Sequence, residues 1–215
     1  MKTPLNYTGN KSRLMDQFAN HFPENVDVFV DLFCGGATVG LSVNAKKIIF
    51  IDNNRNVINL LKHLSKYNID TLLPRLEKLI KKYGLSYSAK FGYKRYRIGI
   101  EKTDNNGLKV YNTSGYYKLR SDYNSVENKS SKEALDLLYV LVVYAFNNDM
   151  RFNRSGEFNL PVGKTDLNKN NIKKLKQYIE RVKKIDSVFI CGDFREAKIQ
   201  KILMKADFIY ADPPY

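Results

Sequence analysis

The 215-residue sequence predicts an α/β fold built on a doubly wound, Rossmann-like parallel sheet, and three observations carry that expectation. The apolar, β-branched run Val26 to Phe33 empties into Cys34-Gly35-Gly36. A second, KKIIFID, stops at Asp52. A third, Phe208 to Ala211, ends on Asp212-Pro213-Pro214-Tyr215. Strands buried on both faces read as short continuous apolar runs, and strand, glycine turn, helix, strand, acid is the opening of this class of sheet.

Taken in chain order, the first strand and its glycine turn predict a helix from about Thr38 to Val43, then the strand ending at Asp52. Val57, Leu60, Leu61 and Leu64 recur at helical spacing after it. Between Tyr83 and Tyr123 aromatics and cations interleave, as at Tyr87, Lys90, Phe91, Tyr93, Lys94 and Arg95, which reads as an inserted region. Its cations would add phosphate contacts; a small hairpin domain packing its own tyrosines is the structural alternative. Lys132 to Phe146 is apolar nearly all round and too long for a typical strand, so a buried helix leading into a polar loop is expected. Asn168 to Lys184 predicts a basic amphipathic helix on Ile172, Leu175, Ile179 and Val182, before the last two strands, VFICGDF and DFIYADPPY. The expected organisation is a discontinuous core, 1–65 with 166–215, and an insertion over 66–165.

A hydrophobic content of 43% supports a real core, and 36 basic against 22 acidic residues give a net charge of +14, which makes a polyanion such as nucleic acid the leading partner. No run of about 18 apolar residues and no apolar N-terminal stretch occurs, so a cytoplasmic protein without membrane association is expected. Cys34 and Cys191 lack metal-ligand spacing. They are read as packed thiols, and no metal is predicted.

Gly35 and Gly36 would let backbone approach a ligand closely, with the N–H groups of the following helix turned to an anion. The window lacks the second glycine of the dinucleotide pattern, which disfavours a nicotinamide cofactor. Asp52 lies 21 residues after Asp31 (52 − 31), at a strand end where a carboxylate can accept both hydroxyls of a ribose; capping the next helix is its alternative role. Together they point to a ribose-containing cofactor without saying which.

Asp212-Pro213-Pro214-Tyr215 names the chemistry. An exocyclic amine on an aromatic base is a poor nucleophile because its lone pair is delocalised into the ring. The Asp212 carboxylate and the Pro213 carbonyl, accepting its two hydrogens, would localise that pair toward a methyl donor. The prolines fix the carbonyl's direction beforehand, and Tyr215 offers a ring for a base swung out of the duplex.

On these residues the chain resembles the Dam-like amino-methyltransferases, DNA adenine-N6 enzymes of the D12 class whose glycine motif precedes an inserted recognition region. Asn6-Tyr7-Thr8-Gly9-Asn10-Lys11 is similar to the family's aromatic-x-Gly-x-Lys motif, with Tyr7 for the usual Trp and Asn10 for a common Gly. Asp31-Leu32-Phe33-Cys34-Gly35-Gly36-Ala37 is similar to its glycine motif, departing at Leu32 and Ala37. The segment Arg151 to Gly163 matches every fixed position of R-x-N-x-x-G-x-F-N-x-P-x-G.

The resemblance implies S-adenosylmethionine as cofactor, held by Tyr7, Lys11, Phe33, Gly35, Gly36, Asp52, Asp193 and Asp212. Within that set Lys11 would lie near the methionine carboxylate and Asp193 near the adenine. It implies catalysis by Asp212, Pro213 and Tyr215. It further implies contact with double-stranded DNA through Phe146, Asn147, Arg151, Asn153 and Pro161, with Arg151 reading a guanine edge and Phe146 filling the gap left by the displaced base. A methyltransferase of a restriction–modification system, with a cognate restriction enzyme as partner, is the expectation. Alternatives are transfer to cytosine N4 or to RNA, and a split or non-catalytic DNA-binding fragment. Family members continue past Pro-Pro-Tyr with further strands, so the sheet is expected to be incomplete at its C-terminal end, with Phe208 to Ala211 an exposed edge needing a completing fragment.

Overall fold

In the computed structural model the described residues are 3–5, 11, 14–18, 21–97 and 105–213. They hold a mixed α/β fold whose sheet has four strands, β1 (Val26–Leu32), β2 (Ala45–Asp52), β3 (Asp186–Cys191) and β4 (Phe208–Ala211). All pairings are parallel and the order is β3-β2-β1-β4. The helices are α1 (Met15–Phe18), α2 (Arg55–Ser65), α3 (Ile69–Lys82), α4 (Ser88–Phe91), α5 (Lys109–Ser125), α6 (Lys132–Tyr144), α7 (Lys169–Lys183) and α8 (Ala197–Leu203). Two compact units emerge, 1–67 with 175–215, which carries the sheet, and 68–174.

Alternation along the strands divides the sheet unit's core. Register places Val30 beside Ile49 and Ile49 beside Val188, and this face packs with Leu32, Ile51 and Val28 against Ile199, Ile202 and Leu203 of α8. The other face is aromatic: Phe29 stacks on Phe208 at 5.5 Å and Phe50 on Phe189 at 4.8 Å. The edge strand β4 is pinned to β1 at its start, where Asp207 accepts the Val28 N–H at 2.7 Å and its own N–H donates to the Val28 carbonyl. Ile209 of β4 is 40% exposed.

The predicted helix over Thr38 to Val43 is replaced by turns and a 3-10 turn, Gly40–Ser42. Phe33, Gly35 and Ala37 all lie at positive φ (64°, 46° and 61°), a conformation an α-helix cannot contain. Gly40 is then pressed so closely to the aromatic face that a Cβ there would meet the Phe50 ring at 2.6 Å.

The insertion's hairpin alternative is also corrected, because the described part of the stretch from Tyr83 to Tyr123 forms α4, a 3-10 helix over Tyr93–Arg97 and α5, joined by turns. Its aromatics divide: Tyr83, Tyr87, Tyr96, Tyr116 and Tyr123 are buried, whereas Phe91, Tyr93, Tyr111 and Tyr117 are exposed. Cations stand over the exposed rings, Lys90 and Arg95 at Phe91, Arg97 at Tyr93 and Arg120 at Tyr117. Buried Asp166 ties this unit together, accepting from the Ser86 hydroxyl at 2.9 Å and from both the N–H and hydroxyl of Ser88 at 2.6 Å. Leaving such a carboxylate unpaired would cost several kcal/mol, so these bonds oblige 86–88 and 166 to meet.

Gly40→Ala should lower stability by about 1–3 kcal/mol, because the added carbon must displace a ring held between the sheet and Phe189. Urea unfolding of the two chains side by side checks this; equal midpoints would contradict the close packing.

Candidate active site and nucleic-acid interface

The strand order turns back at β1: the chain passes outward from β1 to β2 and β3, then crosses over to lay β4 on the other side of β1. Open parallel sheets bind ligands outside the strand carboxyl ends at such a switch point. Here a cavity of about 260 Å³ is lined from all four strand ends, by Leu32 and Phe33 after β1, Asp52 and Asn53 after β2, Asp193 and Phe194 after β3, and Pro213 after β4. Phe33 and Phe194 meet edge to face at 5.6 Å. The left-handed backbone at Phe33 is strain of the kind concentrated at ligand sites, and it brings the ring to the cavity wall.

Four carboxylates stand at or just after these strand ends, and each is managed differently. Asp52, buried at the end of β2, accepts the Gly35 N–H at 2.9 Å and the Asn54 N–H at 2.8 Å. Asn54 in turn caps α2, its side chain accepting from the N–H groups of Asn56 and Val57. Asp52 therefore supports the cap and the glycine turn at once, and an ionised carboxylate has about four lone-pair positions, leaving capacity for hydroxyl donors. The Gly35 N–H is spent on Asp52.

Asp31 is fully buried and accepts the Gly40 N–H at 2.9 Å. Burial pushes its carboxyl up to about 7; the Gly40 bond opposes this, while the charges of Asp52 and Asp212 add to it. The same burial, with Asp31 and Asp52 nearby, drives the Cys34 thiol well up, which suits a packed rather than a reactive cysteine. Tyr210, on β4, is pushed up to about 12 by burial and then by Asp212 and Asp31.

Asp212, after β4, pairs with Lys11 at 2.5 Å. Lys11 thus meets the carboxylate expected to be catalytic rather than standing apart from it. Asp193 makes a closed turn with Arg195, accepting from its N–H, Nε and Nη2 at 2.7–2.9 Å, and the guanidinium holds the carboxyl down at about 2. Gly36 lies in the turn after β1. Tyr7 and Tyr215 fall outside the described residues, as does Pro214. Asp31, Phe194 and Arg195 were not singled out as site residues from sequence. Adjacency of Phe194 and Arg195 to Asp193 was the available signal for two of them; for Asp31 nothing local announced burial beside two other acids.

In the other unit, the loop after α6 begins at Phe146, which is 49% exposed, and at Asn147, held at φ 56°. The Phe146 N–H donates to the Pro161 carbonyl at 2.9 Å. Gly163 N–H donates to the Tyr144 carbonyl, and a Cβ on Gly163 would meet the Ala145 carbonyl oxygen at 2.3 Å. Arg151 is exposed, with Nε donating to Asn159 Oδ1 at 2.9 Å. Asn153 closes the loop tip: its side chain accepts the Glu157 N–H and donates to the Glu157 carboxylate, both at 2.9 Å.

A doubly wound sheet with an acid after its second strand and Asp-Pro-Pro after the strand beyond its switch point defines a class of enzyme folds that take a nucleoside-bearing cofactor. The chain belongs to the D12 class N6 adenine-specific DNA methyltransferase family, whose model matches residues 7–215. It is 36% identical over 217 residues to Type II methyltransferase M.FokI of Planomicrobium okeanokoites and 34% identical to Modification methylase StsI of Streptococcus sanguinis. In both, all of this chain is covered and 29% of the relative. It is 27% identical over 211 residues to a DNA adenine methylase of Haemophilus influenzae, covering 98% of this chain and 63% of that protein. The chain therefore spans less than a third of the length of the first two relatives.

Asp31 binds its proton more tightly folded than unfolded, so its contribution to stability is complete below about pH 3.8 and is lost as pH rises through about 7. Over that window the loss is on the order of a few kcal/mol. Relative to Asp31→Asn, the wild-type chain should lose urea resistance between about pH 4 and about pH 8. Parallel stability curves would contradict the burial of an uncompensated carboxyl.

Proposed function

We propose that the chain carries the cofactor-binding and target-recognising parts of a site-specific DNA methyltransferase that moves a methyl group from S-adenosylmethionine to the N6 amine of adenine in double-stranded DNA. The observation that carries this reading is the convergence of Asp52, Asp31 and Asp212 on the carboxyl ends of β2, β1 and β4. A cationic, ribose-bearing donor fits such a set: Asp52 suits ribose hydroxyls, and a nearby sulfonium would favour Asp31 releasing the proton it otherwise keeps to about pH 7. The cavity of about 260 Å³ lies just under the roughly 300–1,000 Å³ of pockets that enclose a whole drug-sized ligand, which suits the nucleoside portion with the methionine portion extending outward. Phe33 and Phe194, in contact with each other, would offer one aromatic wall to the adenine, with Asp193 at its edge and Gly35 and Gly36 in the turn that carries Phe33.

When bound, the cofactor supplies an electrophilic methyl on sulfur. The rest falls to the chain: Asp212 and the Pro213 carbonyl accept the two amine hydrogens and turn the nitrogen lone pair outward. Lys11, paired with Asp212, orients that carboxylate. Tyr7 and Tyr215 keep their expected roles, against cofactor and target base respectively. On the DNA side, Phe146 enters the duplex where the base leaves, Arg151 reads a base edge, and Asn147, Asn153 and Pro161 shape and flank the contact.

The names of the relatives, a modification methylase and a Type II methyltransferase among them, support a place in a restriction–modification system with a cognate restriction enzyme. A completing polypeptide segment along the β4 edge and a cytoplasmic location belong to the same proposal. Among the described residues no helix is long and apolar enough to cross a membrane.

The test is transfer of labelled methyl from S-adenosylmethionine to unmethylated duplex DNA, followed by a nucleoside digest. Label should appear on N6-methyladenine and fall at least about a hundredfold in Asp212→Ala, the loss typical of removing one oriented polar group from a reacting centre. Label on N4-methylcytosine, or undiminished transfer by the variant, would refute the assignment. Asp52→Ala should abolish cofactor binding measured by calorimetry while leaving DNA binding in place.

A further inference from the structure

The loop from Arg151 to Gly163 has almost no sheet of its own. Its pairings are isolated bridges, Phe152 with Phe158 and Ala145 with Val162. Phe158 and Leu160 are nevertheless buried, so their backbone groups must find partners other than water. Those partners stand in one row on α5, four residues apart, at the spacing that aligns side chains on a helix face. The Tyr116 hydroxyl and Arg120 Nη1 both donate to the Leu160 carbonyl, at 3.0 and 3.1 Å. Asn124 takes both backbone groups of Phe158, accepting its N–H at 2.9 Å and donating to its carbonyl at 3.1 Å.

A primary amide that accepts from and donates to one residue reproduces what a neighbouring strand's peptide group does. It also fixes register, since a slip by one position would turn Phe158 out of the core and leave its ring contacts with Phe152 and Tyr123 unmade. The end of α5 that carries Asn124 is itself held, because Lys129 Nζ donates to the carbonyls of Tyr123, Asn124 and Val126 at 2.6–2.8 Å.

Between the two clamped residues lies Asn159, which holds Arg151 twice. Its N–H donates to the Arg151 carbonyl at 3.1 Å, and its Oδ1 accepts from Arg151 Nε at 2.9 Å. We infer that Asn124, with Arg120 and Tyr116, and Asn159 are positioning residues for DNA-sequence discrimination: α5 sets the register of the loop, and Asn159 transmits it to the Arg151 guanidinium. This rests on the proposed function, in which Arg151 reads a base. A guanidinium anchored through Nε presents its remaining two nitrogens as a fork, the arrangement a guanine edge requires.

The experiment uses the full chain and a duplex library with a randomised target segment, methylated with S-adenosylmethionine and sequenced for modified adenines. Arg151→Ala should relax base preference at one position by about tenfold, the worth of a bidentate base contact. Asn159→Ala should relax the same position, with kcat on the best sites nearly kept. In the Arg151→Ala background, adding Asn159→Ala should change preference no further, because both act through one contact. Asn124→Ala should raise KM for DNA and relax the same position, with cofactor affinity unchanged.

Additive effects of Asn159→Ala and Arg151→Ala, or an Asn159→Ala chain that discriminates as the wild type does while Arg151→Ala does not, would overturn the inference and leave the proposed function standing. An Arg151→Ala chain with unchanged preference would overturn both the inference and the DNA-reading role of Arg151. Should Asn124→Ala unfold, the Asn159 cycle alone decides the matter.

Discussion

Negative charge collected at the carboxyl ends of parallel strands is the constraint on which the sheet unit depends. Parallel pairing sets Asp31 on β1 beside the residues leading to Asp52 on β2 and to Asp212 after β4, and like charges so near one another oppose folding. Three different devices answer it. Asp52 is satisfied by backbone N–H groups, Asp212 by the Lys11 ammonium, and Asp31 by keeping its proton up to about pH 7. The first and third determine local backbone. Turning the N–H groups of Gly35 and Gly40 back onto carboxylates bends the segment after β1 into turns at positive φ, which is why no α-helix forms there.

The second unit solves an opposite problem. Its surface carries cations, and many of them are not loose in solvent but lie over exposed aromatic rings, as Arg95 does at 5.2 Å from the Phe91 centroid and Arg120 at 4.6 Å from that of Tyr117. Such contacts contribute only about 0.5–1 kcal/mol each at exposed sites. Their larger effect is geometric, since stacking limits the conformations open to the guanidinium. Arg120 also bonds the Leu160 carbonyl, so the same side chain serves packing and surface.

Much of this was legible in the sequence because it is local. Apolar runs mark β1, β2 and β4, and helical spacing marks α2 and α7, since burial is imposed by the periods of strand and helix. Asp52 and Asp212 were found because strand ends can be read from where the apolar runs stop. The turn over Thr38 to Val43 was not, because Phe33 and Ala37 are residue types that rarely take positive φ and give no sign of it. The helices between Tyr83 and Tyr123 were hidden by a pattern rich in polar and aromatic residues, in which five tyrosines pack inward and three outward. The clamp by Asn124 joins residues 34 positions apart through one amide, and no local pattern distinguishes it from a surface asparagine. The same holds for Asp31, whose burial is completed by Gly40 and Phe50 from other parts of the chain.

Holding a loop by backbone-directed bonds from helix side chains has a consequence that a ladder of strands would not. Tyr116, Arg120 and Asn124 hold the loop through backbone groups, the carbonyl of Leu160 and the peptide groups of Phe158, so these bonds do not depend on the exposed side chains among 151 to 157. Residue type is restricted at the buried pegs Phe158 and Leu160, at Phe152 whose ring meets Phe158, at Asn153 and Gly156 in the tip, and at the close approach of Gly163. The exposed residues Arg154, Ser155 and Glu157, and Arg151 itself, can therefore change without moving the frame that presents them. The sheet unit has less such freedom, because Asp31, Asp52 and Asp212 are each fixed by a partner from another part of the chain. The asymmetry is between a site whose parts constrain one another and a loop whose support ignores the side chains it exposes.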